Sequence, residues 1–255
     1  MKGVQLFTHS VRQVFNNLGP ALRISGVLYL VPAALSLAVG ASIIQDRAAM
    51  EAAMRTGDFP WFGLVVYVLV MLICSLWIAV GWHRYVLKLE GPSGLVPVQH
   101  VDRILAYFGR SILLVIVLVL VAVVIGFVVA LVLLPLVGTS PGIGAGIAVF
   151  VLVYVPVAIV SYRLSLSLPA AALGEPMGFG ASWDATKGAG GDILVLAILS
   201  VVAMVVIDLP PAIIFPNLTI LAVAWQFATG WVILMVGVSI LTTLYGHYVE
   251  RRPLL

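Results

Sequence analysis

Six stretches of predominantly apolar residues, at about 21–44, 61–82, 111–136, 143–162, 193–215 and 219–243, leave this chain few ways to fold. A helix needs about 20 such residues to cross roughly 30 Å of hydrocarbon. A barrel strand alternates apolar and polar residues, whereas runs such as Ile112–Ile125 are solid, so the segments read as helices. Composition points the same way: of 255 residues, 63% are hydrophobic and 9% charged, with a mean hydropathy of +1.21. A soluble domain carries roughly a quarter charged residues. That excludes a water-facing globule, a disordered chain, a secreted disulfide scaffold and a nucleic-acid-binding domain. The lone cysteine, Cys74, lies among Ile73, Leu76 and Trp77; it has no intrachain partner and reads as an inert buried thiol. The first span follows a polar stretch and outruns a signal-peptide core, so it is not expected to be a cleavable leader.

Basic residues set the expected direction. Lys2, Arg12, Arg23, Arg84, Lys88, Arg103, Arg110, Arg163, Lys187, Arg251 and Arg252 fall on one side, whereas the opposite loops hold Arg47 and Arg55. Both termini are therefore expected in the cytoplasm, with the 45–60 loop outside.

The connectors repeat. Leu89-Glu90-Gly91-Pro92-Ser93-Gly94 parallels Leu173-Gly174-Glu175-Pro176-Met177-Gly178. Each follows an aromatic–arginine pair at a span end, Trp82-His83-Arg84-Tyr85 or Tyr162-Arg163, and the sixth span closes on Tyr245-Gly246-His247-Tyr248 ahead of Glu250 and Arg251. Amphipathic segments precede the first, third and fifth spans. The first carries Leu6, Phe7, Val11, Val14, Phe15 and Leu18, ended by Gly19-Pro20. The second carries Val98, Val101, Ile104, Leu105 and Phe108, and the third is anchored by Phe179 and Trp183. The expected fold is all-α: a single integral membrane domain with six transmembrane helices. It is built as three repeats of amphipathic interfacial helix plus two spans, about 1–90, 91–175 and 176–255.

Trp82-His83-Arg84-Tyr85 with Glu90, and Arg163-Leu164-Ser165-Leu166-Ser167-Leu168-Pro169-Ala170 with Ser182-Trp183-Asp184-Ala185-Thr186-Lys187-Gly188, resemble a family of bacterial integral membrane proteins. The chain is similar to the YciC-type inner-membrane proteins and to the membrane domain fused to some glycerophosphodiester phosphodiesterases. The resemblance implies a six-span helical domain of unassigned activity. It does not carry over the phosphodiesterase chemistry, since no separate soluble domain is expected.

Chemistry is sparse. His9, His83, His100 and His247 have no metal-ligand partner at i+3 or i+4, so no metal and no cofactor is expected. Ser161, Ser165 and Ser167 have no histidine base nearby in sequence, and no catalytic residue is expected. The Gly-rich run from Gly138 to Gly144 lacks the lysine of a phosphate loop; Gly142, Gly144 and Gly146 read instead as sites of close helix packing. Asp208, before Pro210-Pro211, is the acid within apolar sequence. It either caps a helical turn near the outer interface or couples an ion. The functional expectation is a non-enzymatic accessory, assembly or lipid-interacting protein with a cytoplasmic collar. Arg84, Glu90, Arg163 and Glu175 would contact lipid headgroups or another membrane protein complex, as Arg/Glu pairs bridging the copies or as phosphate ligands. A transporter of a lipid or small molecule is the alternative.

Overall fold

The computed structural model describes residues 2–38, 47–92, 94–137, 143–214 and 219–254, and among them every regular element is a helix. The helices are α1 (Lys2–Phe15), α2 (Leu18–Ala38), α3 (Arg47–Thr56), α4 (Trp61–Lys88), α5 (Val101–Val137), α6 (Ile143–Leu164), α7 (Ser167–Leu173), α8 (Phe179–Ala185), α9 (Gly190–Ile213) and α10 (Thr219–Tyr248). Six of them, α2, α4, α5, α6 (with α7), α9 and α10, are long and apolar enough to cross a membrane, which marks a multi-pass membrane protein.

The chain divides into two compact units, Asn17–Ile104 and Met1–Asn16 with Leu105–Leu255. Neither cut coincides with a repeat boundary near 90 or 175. In the first unit α2 packs along α4. Ala21, Ile24 and Leu28, at helical spacing on α2, are buried, as are Ile78, Val80 and Trp82 on α4. Gly81 permits the approach: a Cβ there would lie 3.3 Å from Ile24 Cγ2 and 2.9 Å from Pro97 Cβ.

In the second unit α1 packs on α9 and α10, α6 on α9, α8 on α6 and α7 on α10. The face that docks α1 combines small and polar residues with two apolar ones. Gly3, Leu6, Ser10 and Val14 are buried. A Cβ on Gly3 would fall 2.3 Å from the Asp192 carbonyl oxygen, so only glycine permits this approach. Ser10 Oγ lies 3.0 Å from Thr243 Oγ1, and Ser239 Oγ lies 3.0 Å from the Ser10 carbonyl and 2.6 Å from Gln13 Oε1. Close backbones and hydroxyl bonds are how helices associate where lipid removes any hydrophobic drive between them. α1 was expected to lie in the interface plane with its whole apolar stripe among acyl chains. The stripe is split instead: Leu6 and Val14 are buried, Phe7 and Val11 are partly covered, and Phe15 and Leu18 are exposed.

Three other expectations are corrected. The break after α1 falls at Asn16-Asn17, whose carbonyl at Asn17 accepts the Ala21 N–H at 2.8 Å, not at Gly19-Pro20. Those two sit in the first turn of α2, where the N–H groups have no intrahelical acceptor and a proline costs nothing. The amphipathic segment 98–110 is no separate helix. From Val101 it forms the opening turns of the 37-residue α5, because nothing between Val101 and Ser111 interrupts the backbone ladder. Of the described side chains on α5, only Tyr107 and Leu114 are buried. Finally, a Cβ on Gly146 would meet nothing within 4 Å, so that glycine is not a packing contact. Gly142 and the packing at Gly144 lie outside the described residues.

Candidate functional site

Two polar corners hold three of the four residues singled out for the collar. The first closes the end of α4. Leu89 takes a left-handed conformation (φ 58°), with its N–H bonded to the Arg84 carbonyl, and this reverses the chain so that Glu90 meets Arg84. The contact is bidentate: Arg84 Nε donates to Glu90 Oε2 at 2.8 Å and Nη2 to Oε1 at 2.6 Å. His100 Nε2 lies 3.3 Å from Glu90 Oε2, while the His100 carbonyl accepts the Arg103 and Ile104 N–H groups that open α5. One carboxylate thus ties the end of α4 to the start of α5 across the Gly91–Val98 strap. The Arg84 side chain is only 11% exposed, and its hydrogen bond holds the Glu90 carboxyl below the usual carboxylate range. The adjoining cavity, beside Gly81 and Pro97, measures 20 Å³, room for about one water.

The second corner closes the end of α6. The Arg163 guanidinium carbon lies 3.5 Å from the Trp183 ring centroid, within cation–π range. Its Nε donates to Thr186 Oγ1 at 3.1 Å and its Nη2 to the Trp183 carbonyl at 3.1 Å. In return Ser182 Oγ donates to the Arg163 carbonyl at 2.6 Å. Ser182 and Thr186 are fully buried, so α8 is clipped beneath α6 by reciprocal bonds. Among the described residues no carboxylate pairs with Arg163.

Glu175 does not reach this corner. It follows Gly174 (φ 84°), its N–H bonds to the Ala170 carbonyl at 2.8 Å to close α7, and its side chain is exposed. The structure therefore joins Arg84 to Glu90, six residues apart, and leaves Arg163 and Glu175 apart. A third turn after α10 joins Arg252 to Glu250. Asp208 lies in the helical backbone of α9, which continues to Ile213 through both prolines, so no new helix begins there for it to cap. Its side chain lies outside the described residues. Among the described residues no group of three metal-ligating side chains comes together.

Sequence reasoning missed a third feature. An apolar cavity of 320 Å³ lies in the second unit between α1, α6, α9 and α10. Phe7, Val11 and Phe15 line it from α1, and its polar contribution is a pair in which Tyr162 Oη donates to Ser200 Oγ at 2.9 Å. The signal was available in part: Gly3, Ser10, Ser239 and Thr243 are small or hydroxyl residues at interhelical spacing, and they place α1 where its aromatic edge can line a cavity.

Comparison with known proteins returns nothing: no family model, no curated protein and no solved structure matches this chain.

Proposed function

We propose that this is a non-enzymatic protein of the bacterial inner membrane, with both termini in the cytoplasm, that interacts with lipid through amphipathic elements at the cytoplasmic ends of its spans. The amphipathic segments of three imperfect copies, each followed by two spans, make up the collar, and the likeness to YciC-type proteins fits this architecture. The observation that carries the reading is the double character of α1. Its Gly3-Leu6-Ser10-Val14 face is bound to α9 and α10, while Val4 and Phe15 remain exposed on an apolar edge and Lys2 and Arg12 are exposed as cations. An apolar edge beside basic residues suits the boundary between acyl chains and anionic headgroups. The Arg84 fork is engaged by Glu90, so positioning of the α4–α5 strap is the role that its geometry favours. Arg163, with no carboxylate of its own, is the better candidate for a headgroup.

The test is sidedness. In a Cys74→Ser background, single cysteines at 50–58 should react with an impermeant maleimide from outside. Cysteines at 91–103 should react only after permeabilisation. External labelling of the second set would overturn the reading. The competing proposal, a lipid transporter, is favoured by the apolar cavity; dithionite-based scrambling of a fluorescent phospholipid in reconstituted vesicles separates the two.

A further inference from the structure

The cavity of the second unit has walls suited to one kind of occupant. Phe7, Val11 and Phe15 stand at i, i+4 and i+8 on α1, and Met204, Ile207 and Ile240 face them from α9 and α10. Its lining runs from Ser200 to Ile207 on α9 and from Val232 to Ile240 on α10, about 10–12 Å at 1.5 Å rise per residue. The one polar pair is satisfied within the protein: Tyr162 donates to Ser200, and Ser200 donates to the Leu196 carbonyl at 2.9 Å. Water would need two to four polar partners to stay there, and the walls do not offer them. At 320 Å³ the space lies at the lower end of small-molecule sites, roughly 300–1,000 Å³.

Charge narrows the choice. Arg12 is exposed, stands three residues before Phe15 and so on the adjoining line of α1, and has no carboxylate partner among the described residues. Lys2 is exposed on the same helix. We propose that this cavity is an acyl-chain site that retains one anionic phospholipid, a tail lying between α1, α9 and α10 and the phosphate near Arg12. The inference rests on the lipid-interacting reading above and adds a defined site and a lipid class.

Gly237 supplies the test. It borders the cavity, and a Cβ there would meet nothing within 4 Å, so a side chain can start from this position and Gly237→Leu is the variant chosen to occupy the slot. The full chain is reconstituted in vesicles of phosphatidylethanolamine and phosphatidylglycerol, re-extracted in mild detergent, and weighed by native mass spectrometry. Wild type should carry one phosphatidylglycerol. Gly237→Leu should retain it about tenfold less, since each methylene excluded is worth about fourfold in affinity, with an unchanged or higher Tm. Ala203→Leu, which enlarges a lining residue on α9, should do the same if Gly237→Leu is poorly produced. Arg12→Gln should shift the retained lipid from phosphatidylglycerol toward phosphatidylethanolamine. Equal retention in the filled variants, a bare wild-type protein, or a free fatty acid in place of the phospholipid would each overturn the proposal. Sidedness labelling is independent of retention, so a failure of this site and a failure of the wider reading are distinguishable.

Discussion

Arg84 and Arg163 occupy matching places at the ends of α4 and α6, yet the protein satisfies them with different chemistry. Arg84 is held by a carboxylate six residues on, brought back by a left-handed leucine. Arg163 is held by an indole face, a hydroxyl and a carbonyl from a helix about twenty residues on. The first arrangement neutralises the cation and spans a strap. The second keeps its charge and anchors a helix. Similar sequence around two arginines therefore does not make two equivalent sites; the partner decides whether an arginine is structural or remains available to an anion.

Four measurements would break or sharpen that contrast. The largest effect is expected from Glu90→Ala, which leaves an Arg84 fork that is mostly buried without its acceptor and should cost about 1–3 kcal/mol in detergent unfolding. Glu175→Ala, at the corresponding place, should stay within about 0.5 kcal/mol. Equal losses would restore the equivalence.

Acid should separate the corners next. The folded-state value of Glu90 is depressed, so its contribution is complete above the unfolded value near 4.5 and is lost as pH falls through the lower folded value. The Tm difference between wild type and Glu90→Gln should therefore shrink on acidification. Thr186→Val, at the Arg163 corner, should run parallel to wild type across the same range. A constant gap for Glu90→Gln would show that the carboxylate is not the stabilising species.

Arg163→Lys comes third. Lysine keeps the charge but not the planar fork that both stacks on Trp183 and reaches Thr186, and about 1 kcal/mol should be lost. Protease sensitivity within 179–187 reports it; an unchanged digest would mean the stack does not hold α8. The smallest effect is expected at Leu89, which is 84% exposed at φ 58°. Glycine there relieves a left-handed backbone but adds chain entropy, for a net gain of about 0.5 kcal/mol. Gly174→Ala, at φ 84°, should change stability in the opposite direction.

Hydropathy alone locates the six spans, since burial in lipid depends on nothing but side-chain polarity summed along a helix. It marks their ends less well. α4 continues six residues past Trp82, and α10 five past Thr243, because Trp82, His83, Leu87, Leu244 and Tyr245 are buried in protein and the apolar run is not what ends the helix. Arg84–Glu90 was visible as a pair of residue types but not as a contact: a separation of six is not a helical neighbour distance, and the reversal depends on a non-glycine left-handed residue. Arg163–Trp183 was less visible still, because it needs α7 and α8 in place between them. Of the hydroxyls singled out in 161–168, Ser165 and Ser167 are buried in a packing segment, and Ser167 Oγ donates to the Leu164 carbonyl at 2.8 Å.

The close approach of Gly3 to Asp192 has a consequence in time. α1 is made long before its docking surface: roughly 190 residues separate the two, or about 10–40 seconds of synthesis at ~5–20 residues per second. Throughout that interval the face carrying Gly3, Ser10 and Val14 lacks the two helices it packs on in the finished structure. Docking of α1 is thus a late event that only a chain extended through α10 can complete. In ribosome-stalled chains, a protease site placed at Thr8 should be cut readily before α9 has emerged and fully protected only once Thr243 has emerged, which makes the first helix a marker of finished assembly.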